Sequence, residues 1–327
     1  MKKTKKLLSF MLVFAMAIAM LSGCGKETNE TDTVRIAGLK GPTSIGMVKL
    51  FSDYDNGLTE NKYDYTIVAM ADEITATFLK GELDIVAVPA NLASVLYNKS
   101  EGAVEVLGIN TLGVLYICEK GGETVTDVKS LKGKTIFATG KGSTPEYALE
   151  YILAQNGLDI DTDVTIEWKS EPSETVAEMS TLDSAVALIP QPYVTVAQNT
   201  LSDLRVAISL TEEWDKLDNG STLISAVYLA RKDYVEKNPG TIRKFLEEVE
   251  ASTAYCNENV EETATLVENY GIVKAAIAKK AIPNCNIVCI TGDDMITKLK
   301  GYLEILYGQN SAAVGGTLPA DDFYYNE

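Results

Sequence analysis

A short apolar strand that runs through a Lys-Gly turn into a helix occurs twice in this chain, and that repeat narrows the fold more than any other feature. The first copy is Val34–Leu50 (VRIAGLKGPTSIGMVKL) and the second is Lys134–Gln155 (KTIFATGKGSTPEYALEYILAQ). Each begins with a β-branched run of strand length and continues through lysine, glycine, a Ser/Thr pair and a proline. Pro145 suits the first position of a helix, because its fixed φ is helical and the missing N–H would have no partner there. Thr144 is then the expected N-cap. Glycine ahead of the cap allows close approach to the backbone, and the open helix end offers N–H donors with a partial positive charge. Neither copy ends in the Gly-Lys-Ser/Thr of a phosphate loop. One copy alone would be an ordinary capped turn. Two copies imply two similar lobes that aim helix starts at one ligand.

Around each copy, strands alternate with helices. Apolar strands between helices predict an α/β chain in which each lobe has a mostly parallel sheet with helices on both faces. Ligands in such sheets bind beyond the carboxyl ends of the strands. In the first lobe those ends carry Thr43, Ser44, Met70, Asn91 and Thr111, with Asp72 expected as the N-cap of its helix. In the second they carry Ser143, Thr144, Trp168, Gln191 and Tyr193. The apolar runs Leu112–Glu119 and Thr222–Ala230 read as two crossings between lobes. Lobe 1 is therefore expected to hold residues 34–113 and 228–327, and lobe 2 residues 114–227, hinged about a cleft.

Residues 1–23 have the order of a secretory leader: Lys2, Lys3, Lys5 and Lys6, then an apolar run from Leu7 to Met20 that is short for a bilayer span. Leu21-Ser22-Gly23-Cys24 resembles the bacterial lipobox, whose cysteine is acylated and becomes the mature N-terminus. Acyl chains contribute about 0.8 kcal/mol per buried CH₂, so several of them anchor a protein without a transmembrane helix. Polar residues 24–33 read as a flexible tether. Removing residues 1–23 deletes four lysines and no acids, which takes the net charge from −17 to −21. So acidic a body argues against nucleic acid and against docking on anionic lipid. Cys118, Cys256, Cys285 and Cys289 show no paired metal spacing, and the chain has no histidine, so no metal site is expected. Cys285 and Cys289 could oxidise to each other, but the favoured reading is two separate buried thiols.

Several motifs carry a family resemblance. They are Gly81-Glu82-Leu83-Asp84-Ile85, Asp127 to Lys134 (DVKSLKGK), Gly142-Ser143-Thr144, Asn156-Gly157-Leu158 and Lys232 to Pro239 ahead of a long helix. With these the chain resembles the solute-binding lipoproteins of ABC importers, in the branch that includes sulfonate, taurine, nitrate and thiamine-precursor binding proteins. The resemblance implies a two-lobed periplasmic-binding-protein type II fold with two hinge crossings. It also implies ligand contacts at Thr43–Ser44, Met70, Pro89–Asn91, Ser143–Thr144 and Gln191. The implied partners are a small-molecule ligand, an ABC permease and its ATPase, with a monomer held by its lipid anchor on the extracytoplasmic face of the cell membrane and no cofactor. No arginine stands at these loops to clamp a sulfonate, and Lys40 and Lys141 act only as point charges. The mix of Ser, Thr, Asn and Gln with Trp168, Tyr193 and Tyr116 favours a neutral planar heteroaromatic such as a thiamine-pyrimidine precursor. A sulfonate or another small organic acid is the alternative. Related folds include a pyrimidine synthase that relies on histidine, and this chain has neither histidine nor a nucleophile with a plausible base.

Overall fold

A computed structural model describes residues 33–326; the leader, Cys24 and nearly all of the tether lie outside the described residues. Among the described residues, eleven strands form two sheets. The first contains β1 (Val34–Leu39), β2 (Tyr63–Val68), β3 (Ile85–Pro89), β4 (Val104–Leu112), β10 (Ile224–Arg231) and β11 (Ile287–Ile290), in the order β11-β4-β10-β3-β1-β2. The second contains β5 (Leu115–Lys120), β6 (Thr135–Thr139), β7 (Thr165–Lys169), β8 (Ala185–Pro190) and β9 (Leu204–Ser209), in the order β7-β6-β8-β5-β9. Helices flank both sheets, so the two-lobed α/β reading holds.

Both sheets are mixed. β1 pairs parallel with β2 and β3, and β6 with β7 and β8, as the strand–helix alternation requires. β10, however, lies antiparallel between β3 and β4, and β5 antiparallel between β8 and β9. These two strands follow the crossings. Each enters its sheet from the end where its neighbours finish, without an intervening helix, and therefore runs against them. The outward crossing is only Gly113-Val114. A Cβ on Gly113 would lie 2.2 Å from Thr211 Oγ1 and 2.9 Å from Leu223, so a larger residue would push the two crossings apart. β10 belongs wholly to the first sheet, so a boundary between residues 227 and 228 would cut a strand.

The helix starts differ in detail from expectation. Pro42–Ile45 and Val48–Asp55 are separate helices, and the first is capped by Gly41. Ser44 is no cap: it is buried over β1, where a Cβ on Gly38 would stand 2.4 Å from its Oγ. The helix Thr144–Gln155 begins one residue early, with Ser143 as N-cap and Pro145 at the second position. Proline fits there because that N–H, too, has no partner inside the helix. Met70, not Asp72, precedes the helix Ala71–Leu79, and Asp72 sits in its first turn.

One hydrophobic cluster runs through both lobes. At their joint, Tyr302 of the helix Gly292–Gln309 lies 5.7 Å, centre to centre, from Trp214, which lies 4.8 Å from Tyr151. Buried charges are paired. Asp84, which is 1% exposed, accepts from Arg35 Nε at 2.8 Å and from Arg231 at 3.1 Å. Glu119 accepts from Arg205, Thr124 and the Val125 N–H. Cys118, Cys256 and Cys285 are buried free thiols, whereas Cys289 is only partly covered. Burial pushes Cys118, Cys285 and Cys289 up to about 12. Among the described residues, no helix is long and apolar enough to cross a membrane.

Candidate ligand-binding cleft

The ends of β1, β3, β6 and β8 look into a cavity of about 430 Å³. Of the residues read from the sequence, Thr43, Thr111, Ser143, Thr144, Gln191 and Tyr193 line it. They converge because each follows or closes a strand whose carboxyl end faces the cavity. Thr43 and the Ser143–Thr144 pair come from opposite lobes, as the repeat implies.

Ser44, Met70, Asn91 and Trp168 do not line the cavity. Ser44 is turned down onto β1, and its hydroxyl has no partner. Met70 follows the edge strand β2 and points outward, 46% exposed. Trp168, near the end of the edge strand β7, lines a separate hollow with Glu146, Glu150 and Asp161. Asn91 is buried beside the cavity, where it bridges the lobes. Its Oδ1 receives the Thr144 hydroxyl in a long contact of 3.4 Å, and the Tyr302 hydroxyl reaches Thr144 at the same distance. Across the cleft Lys280 donates to Asn199 Oδ1 at 2.9 Å.

Sequence reading missed two residues of the lining and, apart from Pro89, its proline walls. Ser225 lies in the apolar run of β10, and only the reversed direction of that strand brings its start to the cleft. Its Oγ is buried without a partner. Ile272 reaches the cavity from a turn between C-terminal helices, with no local signal. Pro42, Pro89, Pro145, Pro172 and Pro190, five of the nine prolines, line the walls and make them stiff and poor in donors. The repeated Ser/Thr-Pro turn hinted at this last feature.

Chemically the interior is neutral. Gln191 is 4% exposed, and its Oε1 is taken by the Thr195 hydroxyl at 3.0 Å, which leaves the Nε2 donors facing the cavity. The Thr111 hydroxyl is committed to Asn110 Oδ1 and keeps only acceptor capacity. Tyr193 has its hydroxyl pushed up by burial and by Glu171, so it is a neutral phenol at ordinary pH. Lys40 and Glu171 are exposed on opposite lobes, and no arginine is in the lining. Among the described residues, no group of acid and cysteine side chains is arranged to hold a metal ion.

Comparison with known proteins places this geometry. The family model described as NMT1-like family matches residues 68–269. No curated protein sequence matches. Among solved structures, an ABC transporter protein from Parabacteroides distasonis is similar at 22% identity and TM-score 0.75, over 90% of this chain and 99% of that one. The periplasmic aliphatic sulphonate binding protein SsuA from Escherichia coli is similar at 18% identity and TM-score 0.71, over 88% and 92%. The desulfurization enzyme DSZB is similar at 12% identity and TM-score 0.65, over 90% and 97%. At these identities the likeness establishes the fold, which binding proteins and an enzyme share.

Proposed function

The chain belongs to the NMT1-like family, and from that membership and the cleft we propose that it is the lipid-anchored, extracytoplasmic solute-binding component of an ABC importer. The observation that carries this reading is a stiff cavity of about 430 Å³, with neutral buried hydrogen-bonding groups from both lobes and no nucleophile–base pair. Lys40 and Glu171 are the charged groups of its lining, and the chain has no histidine for acid–base work. The similar structures named as an ABC transporter and as a periplasmic aliphatic sulphonate binding protein support the same reading. In this reading residues 24–33 tether the body to an acylated Cys24. The lobes close about Gly113-Val114 and about the return crossing ahead of Ile224, and the closed form docks as a monomer on the permease that its ATPase drives.

The occupant that best suits the proline walls, Tyr193 and the Gln191 amide is a planar heteroaromatic such as a thiamine-pyrimidine precursor. A sulfonate is the second reading, favoured by the sulphonate-binding protein among the similar structures. Native mass spectrometry of protein purified from its host should show a bound mass in the range of a small heteroaromatic, displaced on gentle unfolding. A bare protein mass, together with no shift in melting temperature from any pyrimidine, sulfonate or carboxylate, would reject the importer reading.

A further inference from the structure

Three helices that begin around the cleft carry a glutamate at their third position, and each glutamate folds back on its own helix start. Glu73 Oε1 accepts the Met70 N–H at 3.0 Å, one residue from Ala69 in the cavity wall. Glu146 Oε2 accepts the Gly142 N–H at 2.5 Å, beside Ser143 and Thr144. Glu174 Oε2 accepts the Ser170 N–H at 2.9 Å, beside Glu171 and Pro172. A helix start attracts anions through free N–H groups and its positive dipole end. Here each end already holds a built-in carboxylate. Pro145 and Pro172 remove one further N–H each from the first turns of the second and third helices. The helices opening at Ala90 and Tyr193 have no acid in the first turn, and their dipole ends suit an uncharged acceptor.

We infer that the cleft excludes anions by this self-neutralisation, and that its ligand carries no net negative charge and presents an acceptor, a carbonyl or ring nitrogen, to Gln191 Nε2. The inference rests on the cleft being the ligand site. Its second support is Gln191 itself, nine-tenths buried, with its amide donors unpartnered and turned into the cavity. No buried cation stands opposite to receive a sulfonate: Lys40 is exposed, with Glu171 across the mouth. An anion would meet Glu171 at the mouth and would find the helix ends beside the wall already neutralised by Glu146 and Glu174, which lie just outside the lining. The sulfonate reading is thereby set aside.

The test uses two probes of one shape, benzenesulfonate and its uncharged counterpart benzenesulfonamide, titrated calorimetrically into the full chain. Wild type should bind the sulfonamide at least about tenfold more tightly than the sulfonate, the combined effect of two helix-end charges. In Glu146→Gln/Glu174→Gln that preference should shrink by about tenfold. Glutamine keeps the oxygen that accepts the Gly142 and Ser170 N–H bonds, and an unchanged melting temperature would verify the fold. Wild type that binds benzenesulfonate as tightly as the sulfonamide would overturn the charge inference and leave the cleft as a ligand site. So would a preference that the double variant does not change. Failure of both probes to bind either protein would overturn the cleft reading together with the inference built on it.

Discussion

Ser44 and Thr144 occupy matching places in the repeated turn, yet the structure gives them opposite tasks. The Ser44 hydroxyl is buried without a partner, so it was desolvated on folding with no hydrogen bond in return. Ser44→Ala should therefore leave stability within about 0.5 kcal/mol of wild type. Thr144→Val, nearly isosteric, strips a bonding partner from Asn91 Oδ1 and from the Tyr302 hydroxyl and should cost about 1–3 kcal/mol. Urea unfolding of the two variants decides it; equal losses would mean that the Thr144 hydroxyl contributes no more than the unpartnered one of Ser44. At this scale the sequence was legible wherever a residue follows a central strand, as with Thr43, Ser143 and Gln191. It misled at Met70 and Trp168, because a strand end does not announce whether its strand lies at the centre of the sheet or at its edge. Ser225 could not be found, since a serine inside an apolar run looks like a solitary polar residue in a core.

The Gly81–Ile85 motif, which carries much of the family resemblance, has an evident structural purpose at the scale of elements. Asp84 ties together β1, β3 and β10 by accepting from Arg35 at the start of β1 and from Arg231 at the end of β10. Asp84→Ala would leave Arg35 without its carboxylate and Arg231 with Asp233 alone, and should cost about 1.5–3 kcal/mol. Replacing Arg35 and Arg231 by methionine in the same chain should recover most of that loss. Thermal melts of the single and triple variants check both statements; a single variant as stable as wild type would show that water already screens the arginines. The strand–helix alternation itself was plain in the sequence, because buried parallel strands are continuous apolar runs. Strand direction at the crossings was not. An apolar run reads the same in either direction, and only the two-residue link Gly113-Val114 forces the reversal.

For the molecule as a whole, acid is the informative stress. Burial alone would raise Glu119, but hydrogen bonds from Thr124, the Val125 N–H and Arg205 hold it down at about 2. A carboxylate depressed in the folded state gives stability that is complete above its ordinary value near 4.5 and is lost as pH falls toward about 2. Melting temperature should thus decline across that window, and Glu119→Gln, destabilised at neutral pH, should show a flatter decline. Parallel slopes for the two proteins would exclude Glu119 as a source of acid sensitivity. The cavity is a property at this same scale, with walls drawn from Leu39 to Ile272, which is why local patterns revealed its strand-end residues and not its far side. Finally, three of the four described thiols are pushed so high that almost no thiolate exists near neutrality, and the fourth is raised as well. The described thiols are therefore poor nucleophiles and slow to form disulfides or mixed disulfides near neutral pH.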